Sequence, residues 1–307
     1  FLETENETKE TNTQTEDKKG TKGLFTVASE LLTTTPQEAI TLKATPLGKR
    51  VSEIYLDPLT AHMLLLGLEE LEGEKLAKED EEQTFALHHL ITCSLEMRPL
   101  LRTRVAMVEE VEAKKNKKKK WFVDEYDFYE YSQDDFEDTI LTALFFSDWI
   151  NEQSEQQLMD KYGIRPGEIT MKLQRAEWLF YACEELARVT KKQSLISTIK
   201  HVALRTTHGV RSELIPLLRF KGVGRIRARM LHAHNIQTIK DVKKTPLQEL
   251  QHIIGPKNAI NLKEQAGEKI SDEQRKEATI TKKKKQTTEQ QQKVRKTNEQ
   301  TTLGTHF

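Results

Sequence analysis

The sequence predicts a mainly α-helical protein, and three observations support this fold class. Apolar residues recur at i, i+3, i+4 and i+7 over long stretches, as on the buried face of an amphipathic helix. Glycine and proline fall mostly between these stretches, where helices are expected to end. The alternation typical of strands is nearly absent beyond about the first sixty residues.

The elements follow in order along the chain. Residues 1–23 are polar and rich in Thr, Glu and Lys, so they cannot bury enough apolar area to fold and are predicted to be a loop or a disordered insertion. Long helices are predicted over 59–72, 82–97, 100–115, 134–152, 168–189 and 194–210. Shorter ones are predicted over 212–220, 224–235, 238–244, 246–254 and 258–267, and a disordered basic linker over 268–299.

Charge is strongly segregated, although the formal net charge is zero. Residues 121–159 carry eleven acidic residues and no Lys or Arg, whereas residues 190–263 carry fifteen Lys or Arg and three acidic residues. A basic segment of this size favours a polyanionic partner. The alternative is a solvated basic face with no partner.

Several classes of function are disfavoured. There is no phosphate loop, no metal-ligand spacing and no nucleophile motif, so no catalytic residue, no metal site and no cofactor are predicted within this chain. The acidic cluster at 124–138 could suggest a metal-dependent nuclease, but aromatic residues interrupt it and a solvated acidic surface is favoured. Cys93 and Cys183 are predicted to be small buried residues of a reducing compartment. No run of about 18 apolar residues and no signal peptide occur, which predicts a cytoplasmic protein with no membrane contact.

A glycine turn between two helices is the sharpest local motif, in the segment Phe220–Leu231 (FKGVGRIRARML). This pattern is typical of a helix–hairpin–helix, in which Gly222 and Gly224 allow the backbone to turn and to approach a phosphate closely. Arg225, Arg227 and Arg229 are predicted to contact phosphates, while Ala228, Leu231 and Ile236 face inward. The alternative is a packing turn with solvated arginines.

A second candidate site lies on the helix predicted over 168–189. Trp178 follows Lys172 and Arg175, and a Trp beside basic residues can stack on an unpaired base of any sequence. Taken alone, Trp178 is more often a core residue, and the spacing does not decide between the two interpretations.

Several segments, in the right order, resemble one family. Residues 44–61 (ATPLGKRVSEIYLDPLTA) resemble the junction between the winged-helix and helical ratchet domains of archaeal Ski2-like superfamily 2 DNA helicases, relatives of the helicase part of DNA polymerase theta. His88–Ile91, Arg165–Ile169 and Ala176–Ala182 resemble the ratchet domain. His208–Leu214 and Lys221–Arg229 resemble the C-terminal helix–hairpin–helix domain. The resemblance covers about residues 40–267.

The resemblance implies a domain organisation and a function. It implies a winged-helix remnant over 1–57, a multi-helix ratchet bundle over 58–200 and a helix–hairpin–helix domain over 201–267. It also implies that Trp178 stacks on a base, with Lys172 and Arg175 on the backbone, in a 3′–5′ helicase of the nucleoid acting on single-stranded and forked DNA. A basic position of the family falls on Met171, which puts that contact in doubt.

The motor with its ATP and Mg²⁺ sites would precede Phe1, so the chain is expected to be a piece of a longer protein. Two alternatives stay open: an accessory or scaffold protein without a motor, and the Sec63-type module of an RNA helicase. The second usually continues into a β-sandwich, and no such strands follow Gly267.

The last eight residues, Gln300–Phe307 (QTTLGTHF), resemble the peptide that docks replication proteins on the sliding clamp PCNA. One helical turn would bring Leu303, His306 and Phe307 to one side as an apolar plug, with Gln300 at the rim of the pocket. His306 stands where Phe or Tyr is usual, which is expected to weaken the contact.

Overall fold

Helices dominate the structure, a computed structural model that describes residues 2–5, 41–73, 81–116 and 133–271. This confirms the predicted fold class. Two short strands, β1 (Leu2–Glu5) and β2 (Thr41–Ala44), pair antiparallel with Leu2 opposite Ala44. The chain divides into two compact units, the first formed by residues 1–147 and 158–203 and the second by 148–157 and 204–307, as far as these are described.

The helices up to residue 208 correspond closely to the amphipathic segments. They are α1 (Pro46–Glu53), α2 (Pro58–Gly73), α3 (Glu81–Thr92), α4 (Val108–Asn116), α5 (Gln133–Ile150), α6 (Glu155–Tyr162), α7 (Pro166–Val189) and α8 (Gln193–His208). Two were not predicted, α1 and α6. Helix α6 buries only Leu158 and Tyr162, which is too little to give a clear apolar period.

Helix α7 forms the centre of the first unit, where α1 and α2 pack against it. Its buried face includes Phe180 and Cys183. The ring of His88 stacks on Phe146 at 5.5 Å between centroids, so this histidine belongs to the core. Cys93 and Cys183 are both buried, as predicted.

The predicted helix over 100–115 is wrong in its first half, because only a short 3₁₀ turn (Val105–Met107) precedes α4. The main-chain N–H of Leu101 donates to Thr142 Oγ1 at 3.0 Å, and that of Thr103 donates to Asp138 Oδ1 at 2.6 Å. Side chains of α5 therefore bind main-chain N–H groups of this stretch and hold it in an extended conformation. The result is an extended loop before α4, and it contributes to the candidate site described below.

The second unit contains a 3₁₀ helix (Ser212–Arg219) followed by α9 (Arg225–Ala233), α10 (Ile239–Lys244), α11 (Leu247–Ile254) and α12 (Pro256–Gln265). The residues predicted to face inward, Ala228, Leu231 and Ile236, are all buried in one apolar cluster. Thr238 caps α10 by accepting from the N–H of Asp241. The unit is thus a small helical domain with its own core.

Candidate nucleic-acid interface

Lys172 lies on α7 and is buried. Its ammonium donates to the main-chain oxygen of Pro99 at 2.7 Å. Burial, together with the nearby Arg175 guanidinium, lowers the pKa of Lys172 to about 8, although Glu168 acts in the opposite direction. A lysine in this position is still mostly charged at neutral pH.

Arg175 lies almost one turn further along α7 and holds the same loop. Its guanidinium donates to the main-chain oxygens of Arg98 and, at 3.5 Å, Met97. The two cations therefore bind three consecutive carbonyl groups, those of residues 97–99. Carbonyl groups satisfy the N–H donors, and neither cation forms an ion pair in the described residues.

Trp178 is half-buried, and its indole N–H donates to the main-chain oxygen of Ile54 at 3.3 Å. The neighbouring Tyr55 is 89% exposed and has a φ of 56°, which is uncommon for a residue other than glycine. Met171, two turns before Trp178, is 49% exposed. The indole is fixed in place by its polar edge while part of its surface faces solvent.

The glycine turn of the second unit exposes main chain. Gly222 has a φ of +89°, and a Cβ placed on Gly222 or Gly224 would meet no atom within 4 Å. Gly224 is the N-cap residue of α9 and has no side chain that could accept from the first N–H groups of the helix. Such a turn lets a ligand approach the backbone closely.

The three arginines of α9 have different surroundings. Arg225 is half-buried over the ring of Trp149, at 4.8 Å from the centroid, and it also donates to the oxygen of Gln153. Arg227 is exposed and donates to the oxygen of Gly222 at 2.7 Å. Arg229 forms ion pairs with Glu152 and Glu213. Of the three, Arg227 is the one that combines exposure with the absence of a carboxylate partner in the described residues.

Glu152 is the residue that neutralises Arg229. Its Oε2 accepts from Nε of Arg229 at 2.7 Å, and its Oε1 accepts from the main-chain N–H of Arg211 at 3.2 Å. Burial by itself would raise the pKa of Glu152, but these hydrogen bonds outweigh it, and the pKa lies below its usual value. Glu152 is therefore ionised at neutral pH and paired.

A groove of about 670 Å³ lies beside the glycine turn within the second unit. The indole N–H of Trp149 donates to the oxygen of Thr206 at 2.7 Å, which fixes one wall of the groove. Its lining mixes aromatic, basic and acidic residues: Trp149, Glu152, Ser154, Glu155, His208, Gly224, Arg225, Ile226 and Arg227.

Comparison with known proteins gives one consistent result. Residues 85–209 match the family model described as archaeal helicase, domain 4. A protein of Methanococcus vannielii named ATP-dependent DNA helicase Hel308 is 36% identical over 210 residues, which are 67% of this chain and 27% of that protein. The chain belongs to the archaeal Hel308-like helicase family.

Two further Hel308 helicases give the same picture. The one of Methanocaldococcus jannaschii is 35% identical over 232 residues, covering 75% of this chain and 18% of that protein. The one of Caldivirga maquilingensis is 31% identical over 244 residues, covering 75% of this chain and 31% of that protein. The chain thus spans less than a third of the length of each of these relatives.

The structure distributes the predicted residues of this Hel308-like chain over two sites. Lys172, Arg175 and Trp178 lie in the first unit, within the match to helicase domain 4. Gly222, Gly224, Arg225, Arg227 and Arg229 lie in the second unit. Four residues of these sites were not predicted from the sequence: Arg102 and Arg104 beside Lys172, and Trp149 and Glu152 beside the arginines of α9. Arg-x-Arg at 102–104 was a usable signal, because the same pattern occurs at 225–227.

Several predictions fall on residues outside the described ranges. The clamp-binding peptide with Gln300, Leu303, His306 and Phe307 is among them, as are most of the basic linker over 268–299 and most of the winged-helix remnant over 1–57. In the parts of the chain that are described, no helix has the length and apolar character needed to span a bilayer.

Proposed function

We propose that this chain is the single-stranded DNA-binding part of an ATP-dependent 3′–5′ DNA helicase that acts at replication forks in repair and restart. It binds the strand without reading its sequence. The relatives are named ATP-dependent DNA helicases, which supports DNA over RNA as the partner. In this proposal the motor domains of the whole helicase hold ATP and Mg²⁺, because the chain itself has no phosphate loop.

The observation that carries the proposal is the combination of Trp178 with Lys172 and Arg175 on one helix. The indole is partly exposed and is oriented by its bond to Ile54. The two cations have no carboxylate partner in the described residues. An aromatic surface stacks on a base of any type, and nearby uncompensated charge attracts the backbone.

The glycine turn of the second unit supports a second contact with the strand. The open backbone at Gly222 and Gly224 and the exposed guanidinium of Arg227 suit a phosphate oxygen. Arg225 and Arg229 are proposed to contribute less, because Arg225 covers Trp149 and Arg229 is paired with two carboxylates.

Replacement of Trp178 tests the proposal. Trp178→Ala is expected to weaken binding of a single-stranded oligonucleotide by about 1–3 kcal/mol, the usual contribution of one stacked base. Fluorescence anisotropy measures the affinity. Trp178→Phe is the matched control, because it keeps a stacking ring but loses the N–H that binds Ile54. If Trp178 were only structural, the Ala variant would lose melting temperature but bind normally once folded, and the Phe variant would bind no better than the Ala variant.

The C-terminal peptide is proposed to bind the PCNA clamp through Gln300, Leu303, His306 and Phe307. A peptide of residues 293–307 is expected to bind archaeal PCNA with micromolar affinity in calorimetry, and Leu303→Ala or Phe307→Ala is expected to abolish the heat. A wild-type peptide that gives no heat at high concentration would refute the contact and leave the DNA-binding proposal intact.

A further inference from the structure

A basic cavity of about 240 Å³ lies beside α7 in the first unit. Four cationic side chains line it, and Glu168 contributes the one carboxylate. The cations are Arg102, Arg104, Lys172 and Arg175. Two come from α7 and two from the extended loop before α4, about 70 residues earlier in the chain.

Three of these cations bind main-chain oxygens instead of carboxylates. Arg104 donates to Tyr162 at 2.8 Å, Lys172 to Pro99 at 2.7 Å, and Arg175 to Arg98. None of the three has an ion-pair partner in the described part of the chain. Only Arg102 is paired, with Asp138 at 3.3 Å. Lys172 is buried and Arg175 is half-buried, whereas Arg104 is exposed. A buried charge without compensation is unfavourable, and an anion bound beside Lys172 and Arg175 would remove this penalty.

The carboxylate of Glu168 is already engaged. Its Oε2 accepts from the main-chain N–H of Arg165 at 2.8 Å, an arrangement that closes the first turn of α7. Glu168 is thus held at the start of α7, and four cations against one carboxylate leave the cavity with an excess of positive charge.

Gly163 makes room for one of the cations. It has a φ of +64°, and a Cβ at this position would lie 1.5 Å from Nη2 of Arg104. A larger residue here would displace the guanidinium from its contact with Tyr162. The position of Arg104 therefore depends on a glycine that borders the same cavity.

We propose that the cavity formed by Arg102, Arg104, Lys172 and Arg175 is a receptor for one phosphate group of the DNA backbone. This rests on the proposed function, and it adds Arg102 and Arg104 to the binding residues. The volume lies below the roughly 300 Å³ at which pockets for drug-sized molecules begin, so it suits a phosphate group better than a whole nucleotide. Guanidinium groups match phosphate oxygens in pairs.

The place of the cavity on α7 fits a strand that also contacts Trp178. Lys172 precedes Trp178 by six residues, which is about 9 Å along the helix axis. Arg175 also lines the cavity and precedes Trp178 by three residues, so these two side chains are neighbours on the helix surface. A strand whose base stacks on the indole can therefore bring a neighbouring phosphate to the cavity. Free inorganic phosphate offers the same chemistry, so the two sources have to be distinguished by experiment.

The first arm of the test uses inorganic phosphate and the full chain. Lysines are labelled by reductive ¹³C-methylation, and Lys172→Gln identifies the Lys172 signal. Phosphate added at constant ionic strength is expected to shift this signal and to raise its titration midpoint. Arg104→Gln should abolish the shift. Arg188→Gln, which removes a charge about 24 Å away on α7, should preserve it. A Lys172 signal that does not respond to phosphate overturns the proposal.

The second arm measures binding of a single-stranded oligonucleotide. Arg104→Gln is expected to weaken it about tenfold, as for loss of one hydrogen bond to a charged group. Arg104→Lys should restore part of it, which a folding defect would not allow, and Arg188→Gln should change it less than about twofold. If phosphate shifts the Lys172 signal but Arg104→Gln binds DNA like the parent, the proposal that the cavity binds a phosphate of the DNA backbone is overturned. If the parent binds no DNA at all, the proposed function fails, and the phosphate arm alone still decides whether the cavity is an anion receptor.

Discussion

Two regions of this molecule combine a tryptophan with a cluster of basic residues, and they treat the basic charge differently. In the first unit, Lys172 and Arg175 bind carbonyl groups, and no carboxylate neutralises them in the described residues. In the second unit, Arg229 is paired with Glu152 and Glu213. The cations of the first cluster form no ion pairs in the described residues, whereas in the second cluster part of the positive charge is paired with carboxylates of the same unit.

The contrast adds information that charge counting along the chain does not contain. The basic segment 190–263 has a net charge of +12 by sequence, yet one of its arginines is neutralised by Glu152, which belongs to the acidic segment 121–159. Lys172 and Arg175 lie outside that basic segment. Local pairing in space therefore changes how much of the charge counted along the sequence can attract a polyanion.

The largest effect is expected from Glu152→Gln, which would make the second region resemble the first. Loss of the partly buried pair with Arg229 should lower the free energy of unfolding by about 1–3 kcal/mol. Arg229 would then keep Glu213 as its carboxylate partner, and the loss of one of its two paired carboxylates should at the same time strengthen single-stranded DNA binding. It should also steepen the dependence of log affinity on log salt by up to about 0.7. Denaturant unfolding and anisotropy over a salt series measure the two effects.

Glu249→Gln is the control for this substitution, because Glu249 is exposed in the same unit and has no ion pair in the described residues. It should change the net charge equally and lower the free energy of unfolding by less than about 1 kcal/mol, since Glu249 lies in the first turn of α11. An equal rise in DNA affinity for both variants would mean that long-range charge matters and that the pairing of Arg229 does not.

A smaller effect on DNA binding is expected from a change of pH, and it is expected only for the first region. The pKa of Lys172 is lowered to about 8 by burial and by Arg175, and a bound phosphate should raise it. Binding should therefore weaken as pH rises through about 8, by about tenfold for each unit by which the phosphate raises this pKa. The other charged groups that line the cavity are Arg102, Arg104, Arg175 and Glu168.

Lys172 should also make the free energy of unfolding rise with pH. The folded chain releases the Lys172 proton at a lower pH than the unfolded chain, whose pKa is near 10.5, so the unfolded chain binds more protons between about pH 8 and 10.5. The free energy of unfolding should increase across this window, and Lys172→Met should remove that increase. Thermal unfolding of both proteins at pH 7.5 and 9.5 measures it. An identical pH dependence in the two would show that Lys172 is not the group responsible.

Much of the fold could be predicted because an amphipathic helix produces a local pattern of apolar residues in the sequence. The apolar period located α2, α5, α7 and α8 within a few residues, and it placed Ala228, Leu231 and Ile236 inside. Prediction failed at 100–104, where the apolar period continues but α5 side chains hold the backbone extended. No local pattern contains that information, since the partners lie about 35–41 residues away in sequence.

The candidate sites, like the fold, could be predicted only in part from the sequence. The sequence by itself determined the helical class, the family, the glycine turn and the identity of the basic and aromatic residues that make these sites candidates. Only the tertiary structure decided that Arg102 and Arg104 join Lys172 and Arg175 around one cavity, and that Glu152 neutralises Arg229. The physical reason is that helix periodicity depends on neighbours three and four residues apart, whereas the effective charge of a side chain depends on every group within a few ångströms, wherever the chain brings it from.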